Sequence, residues 1–172
     1  MADEEAKFEK WMAKPLEEIE ARSADAAFIA LMASFAMWER LIKSRMRAEK
    51  DNLGIRRMSE PQKKEFFYAL SAKMLGITDV QLFKNFWHIY RDGIAHYFMP
   101  MDKGMDDKKY DWAISAAYGD LPEYGGDPAG TRTIRVNPWG WSRRVVNEWR
   151  ARPDLLAELQ HVPFADVSVT GL

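Results

Sequence analysis

Arg91, Asp92 and His96 lie within six residues of one another in the stretch NFWHIYRDGIAHYF, residues 85–98. Those side-chain types suit phosphodiester chemistry. Histidine exchanges protons near neutral pH, so it can take one from a ribose 2′-hydroxyl and return one to the leaving oxygen. Arginine meets the charge that builds on phosphoryl oxygens with a two-pronged fork of N–H donors. Asp92, four residues before His96, faces it on a regular helix and would orient the imidazole. Arg91 stands about 140° round that helix from His96 at 3.6 residues per turn. The two heads therefore converge through the length of the arginine, or across two chains. Attack of a 2′-hydroxyl on its neighbouring phosphate by this route needs no metal.

A second group of cations lies in ERLIKSRMRAEK, residues 39–50, where Arg40, Lys43 and Arg47 share one helix face. Such a row can track phosphates. The alternative is a solvated helix end whose cations complement the helix dipole. His88 and Tyr97 flank the motif and join the candidate RNA contacts, His88 being open to a packing role instead. In PWGWSRRVVNEW, Trp139, Trp141 and Trp149 read as core or interface residues before they read as base-stacking platforms. Asp102, Asp106 and Asp107 match no calcium loop, and DEEAKFEK reads as a solvated helix face. No Gly-rich phosphate loop, H-E-x-x-H pair or serine elbow occurs, so neither cofactor nor metal is expected.

The whole chain constrains these sites further. Its 172 residues suit one domain, and a formal net charge of -1 argues against a surface coated for nucleic acid while leaving room for a local basic groove. With no cysteine, disulfides, thiolate metal sites and cysteine nucleophiles are excluded. The acidic start MADEEAKFEKW does not resemble a signal peptide, and the most apolar run, AAFIALMASFAMW, is too short for a bilayer. A cytoplasmic protein without a membrane partner is the expectation.

Apolar spacing predicts helices that would hold the motif. Phe8, Trp11, Met12, Leu16 and Ile19 mark one over about 4–19, kinked or divided at Pro15. Ser23 caps a second, to about 48, apolar nearly all round and so central and buried. Ser59 and Pro61 open a third ending at Gly76. The motif lies on a fourth, from Thr78 or Asp79 to Pro100, with Leu82, Phe83, Phe86, Trp87, Tyr90 and Ile94 as its stripe. Asn137 and Pro138 start another through about 151, and PDLLAELQ adds a last turn. Between them WAISAAY and TRTIRV read as a short hairpin among loops. The expected fold is all-α: an antiparallel four- to five-helix bundle with an irregular loop or hairpin insertion near the C-terminus. It forms a single domain over 1–172, with a core of about 5–100 plus 138–151 and an insertion at about 101–137.

RDGIAH on the fourth helix of such a bundle resembles the signature of the HEPN superfamily, the higher eukaryote and prokaryote nucleotide-binding domains. Their motif is Arg, a polar residue, a few further residues, then His, which Arg91, Asp92 and His96 match; the small apolar GIA between is also typical. The resemblance covers about residues 5–100. It implies a metal-independent endoribonuclease of toxin or antiphage-defence type, working as a homodimer whose two motif helices face each other across an RNA cleft. A small nucleotidyltransferase often serves as antitoxin and adenylylates a Tyr two residues after the His. Here Tyr97 directly follows His96 and Phe98 stands at that site. The competing reading is a catalytically silent helical module that binds RNA, nucleotide or protein.

Overall fold

A computed structural model describes residues 2–50, 52, 54–126 and 132–156; His161 and the end of PDLLAELQ lie outside them. The N-terminal helix is continuous. α1 (Ala2–Phe8) runs through a π turn, Glu9–Ala13, into α2 (Lys14–Arg22). Pro15 sits in the first turn of α2, and the wide turn lies just upstream of it. Phe8 and Leu16 are buried, while Trp11, inside the π turn, is 45% exposed.

α3 (Ala27–Ala48) is the central helix. Leu31, Phe35, Trp38, Leu41 and Ile42 are buried as the periodicity predicts, but Ile29 and Met32 face outward, so it is not covered all round. α7 (Pro138–Arg150) lies along it and supplies the missing side of the core. Asn137 caps α7 through the amides of Trp139 and Gly140. Trp141 meets Trp38 at 5.7 Å between rings, and Trp149 donates from Nε1 to Met37 O at 3.0 Å. Ser34 and Ser142 hydrogen-bond at 2.6 Å in the same interface. The three tryptophans of α7 are thus core residues rather than stacking platforms.

α4 (Glu60–Leu75) begins in a reciprocal capping box between Ser59 and Gln62 and ends at Gly76 in the left-handed conformation. α5 (Val80–Phe86) starts at Asp79, whose carboxylate accepts from the amides of Gln81 and Leu82. A second π turn, Trp87–Asp92, follows directly, then α6 (Gly93–Tyr97). In it the Gly93 amide reaches back five residues to His88 O.

The fold is mostly helical but not all-α. β1 (Tyr110–Ile114), β2 (Glu123–Gly126) and β3 (Arg132–Val136) form a sheet in the order β1-β3-β2. WAISAAY and TRTIRV do pair, but in parallel, Trp112 opposite Ile134. The hairpin partner of β3 is instead β2. A parallel pair needs a crossover of a dozen or more residues, and the segment between β1 and β3 supplies it. Nor is the sheet a loose insertion. Tyr110, Ile134 and Val136 are fully buried within one core that also holds Phe8 and Leu155. The Tyr90 hydroxyl fastens it to the motif helix, 2.7 Å from Ile134 O and 3.0 Å from Ala113 O, while accepting from Ala113 N. Burial raises the pKa of that phenol well above its ordinary value.

Among the described residues no helix is long and apolar enough to cross a membrane.

Candidate anion-binding cleft

The helix that carries RDGIAH is locked in place by its apolar face. Phe86, Ile89, Tyr90 and Ile94 are buried, with Trp87 nearly so. Trp87 stacks edge-on against Phe35 and Phe67 at 5.4 and 5.0 Å. Ile89 was not in the predicted stripe. The π turn adds one residue to the circuit, so Phe86, Trp87, Ile89 and Tyr90 all turn inward. The polar side is left with His88, Arg91 and Asp92.

Arg91 sits between two carboxylates. Its Nη1 donates to Asp92 Oδ1 at 2.9 Å and its Nη2 to Glu39 Oε2 at 2.8 Å, across to α3. Partial burial works against the guanidinium charge, but the two acids outweigh it and raise its pKa. Burial likewise opposes ionisation of Glu39. Lys43, bonded to its Oε1 at 2.5 Å, and Arg91 together overcome this and lower the carboxyl's pKa. Asp92 uses its other oxygen on His88 Nδ1, 3.1 Å away. The expected Asp92–His96 pairing is therefore replaced by Asp92–His88. Both oxygens of Asp92 are taken on its own turn of helix, one by Arg91 and one by His88, and none is left for His96.

His96 lies apart from this set. It is exposed on the last turn of α6 and, among the described residues, has no hydrogen-bond or ion-pair partner; its ring contacts only Tyr97. Tyr97, Phe98 and Met99 beside it are all exposed, Phe98 by 80% and at a left-handed φ of 59°. From there the chain doubles back, and Met101 N bonds to Ile89 O at 2.9 Å. Gly93 permits this return. A Cβ there would meet Met99 O at 2.7 Å and Met101 N at 2.8 Å. The small residue in GIA has a steric cause.

Arg91 and Asp92 form one wall of a cleft of about 700 Å³. Arg40, Lys43 and Arg47, which share a face of α3 as their spacing implies, line it, and Lys50 joins them from the turn beyond the helix. Arg56 enters from the α3–α4 connection, and Lys63 and Lys64 from the start of α4. Eight cations thus meet three carboxylates, Glu39, Glu60 and Asp92. Met46, Ile55, Phe67, Tyr68 and Trp87 contribute its apolar surface. The Nε of Arg40 is buried without a hydrogen-bond partner. Among the described residues Arg40, Lys50 and Lys64 have no carboxylate partner. The net charge of the protein is near zero, yet this cleft is strongly positive, a field that attracts polyanions.

The structure therefore brings Arg40, Lys43, Arg47, Arg91 and Asp92 together, with His88 joined through Asp92, and leaves His96 and Tyr97 outside the cleft lining. Sequence reasoning missed Glu39, Lys63 and Lys64. The spacing of Glu39 and Lys43, four apart on one helix, was a usable signal for the first. Nothing local marks the α4 lysines. Asp106 and Asp107 are engaged elsewhere, by the Tyr110 hydroxyl and Lys103.

No family model, curated protein or solved structure matches the chain.

Proposed function

We propose that the protein binds RNA in the α3–α4 cleft and cleaves it as a metal-independent endoribonuclease of toxin or antiphage-defence type. The observation that carries this is the place of Arg91 on the wall of a cleft with eight cations and three carboxylates. A phosphodiester backbone is the ligand such a row of cations suits, and arginine is the residue best shaped to meet a phosphoryl group. In this reading His96 accepts the 2′-hydroxyl proton as the 2′-oxygen bonds to phosphorus. The bond to the 5′-oxygen breaks, and a proton returned to that oxygen completes the step. The products are a 2′,3′-cyclic phosphate and a 5′-hydroxyl. Because His96 stands outside the cleft lining, the RNA must run from the cleft past the end of α6, or a second copy must present its own His96. The HEPN-like signature favours the homodimer. Asp92 orients Arg91 rather than His96.

The binding-only module remains a second reading, and one observation favours it: Arg91 is held by two acids while His96 has no orienting partner. Incubating total cellular RNA with the protein in EDTA separates the two. Cleavage with cyclic phosphate ends, lost in His96→Ala and in Arg91→Ala, supports the enzyme. Binding without cleavage by all three folded proteins supports the module, and cleavage that needs magnesium overturns the mechanism.

A further inference from the structure

Glu39 stands where a ligand anion would. Its two carboxylate oxygens bridge two cations from different elements, Oε1 to Lys43 Nζ at 2.5 Å and Oε2 to Arg91 Nη2 at 2.8 Å. A phosphate diester offers the same pair of anionic oxygens, and guanidinium groups accept carboxylate and phosphate in the same fork geometry. Of the three cleft carboxylates Glu39 alone ties the cation row of α3 to the motif arginine. Glu60 serves Lys63 near the rim, and Asp92 holds the other prong of Arg91.

We propose that Lys43 and Arg91 form a phosphate subsite which Glu39 occupies in the unliganded protein, so that RNA enters only by displacing this built-in anion. The inference rests on the reading of the cleft as the RNA site. The two acids on Arg91 then have different duties. Asp92 is anchored by His88 as well as Arg91, and it keeps the guanidinium aimed when Glu39 leaves. Glu39 is about a quarter exposed and follows a flexible side chain, so it can swing to water without moving α3. Displacement makes the subsite selective. A weakly bound monoanion does not offset the loss of two ion pairs, whereas a strand whose other phosphates reach Arg40, Arg47 and Lys50 does. The helical rise of 1.5 Å per residue spreads Arg40, Lys43 and Arg47 over about 10 Å of α3, and Lys50 follows in the turn beyond it.

The test is anisotropy of a fluorescein-labelled single-stranded RNA 12-mer at fixed salt, with thermal unfolding as the check on folding. Glu39→Gln should bind about fivefold more tightly, the change to which ~1 kcal/mol for a part-exposed ion pair converts. Glu39→Asp, which keeps the charge but is too short to span both cations, should also bind more tightly. Glu60→Gln should change affinity less than twofold. Equal gains from Glu39→Gln and Glu60→Gln would overturn the proposal, because removing any negative charge would then suffice. Unchanged or weaker binding by both Glu39 variants would overturn it too. The double variant Lys43→Ala/Arg47→Ala tells those failures apart: if it weakens binding the cleft reading stands without the displaced anion, and if it does not both fail.

Discussion

Asp92 faces back to His88 rather than forward to His96: its Oδ2 lies 3.1 Å from His88 Nδ1 while its Oδ1 accepts from Arg91 at 2.9 Å. The three side chains stand on one π turn and restrain one another, and His96 is left out of the group. The fold and the proposed reaction can therefore be tested separately along this helix. His88→Ala should cost about 0.5 kcal/mol, since the pair is part-exposed and screened. His96→Ala should leave the urea midpoint unchanged. A fall in cleavage by His96→Ala would then report on the reaction and not on folding.

Gly93 is the residue of the motif least able to change. A methyl group would be driven into three backbone atoms of the returning chain, at 2.7, 2.8 and 3.0 Å. Gly93→Ala should destabilise by about 2 kcal/mol, in the range of overpacked sites. Urea unfolding measures the loss. A neutral outcome would mean that residues 99–101 yield without cost.

Tyr90→Phe removes the one hydroxyl proton shared between Ala113 O and Ile134 O and the oxygen that accepts from the Ala113 amide. Leaving buried polar groups unpaired costs about 1–3 kcal/mol. Amide exchange should accelerate at Ala113 and along β1 more than in α3, because the hydroxyl joins the sheet to the helix.

Acid should weaken the fold from a defined point. Glu39, Glu9 and Asp106 all have lowered carboxyl pKa values. Lys43 and Arg91 outweigh burial at the first, the Arg150 fork dominates at the second, and Tyr110 and Lys108 outweigh burial at the third. Groups of this kind bind protons more readily in the unfolded chain, so stability rises with pH through their titration. The melting temperature should be level with respect to them above about pH 5 and fall as pH drops below about 4.5, the ordinary glutamate value. Glu39→Gln should flatten part of that fall. An identical acid limb in the variant would assign the loss to the other carboxylates.

Helices announced by their ends were legible in the sequence, except that Ser23 makes no cap hydrogen bond and the central helix opens through a 3-10 turn, Ala24–Ala26. Ser59 with Gln62, Asp79, and Asn137 before Pro138 each satisfy amides that the first turn leaves open, and they do so with adjacent residues. The cation row was legible too, because Arg40, Lys43 and Arg47 obey the helical period. The π turns were not. No local residue announces one, and the Trp87–Asp92 turn carries an aromatic face whose partners, Phe35 and Phe67, come from other helices. Helical spacing leaves Asp92 equally near His88 and His96, four residues either side, and the choice of His88 is not written in the spacing. The parallel pairing of β1 and β3 was hidden for a related reason, since β2 takes the hairpin role and its strand signal, EYGG, is weak.

The packing of α7 against α3 has a consequence for biosynthesis. The bond from Trp149 to Met37 joins residues 112 apart in the chain, and that between Ser34 and Ser142 spans 108. At ordinary synthesis rates α3 waits roughly 6–22 s for its cover to be made. Throughout that interval the nascent chain presents Leu31, Phe35 and Trp38 without the indole that will close over them. A ribosome stalled before residue 138 would leave that face without its α7 cover.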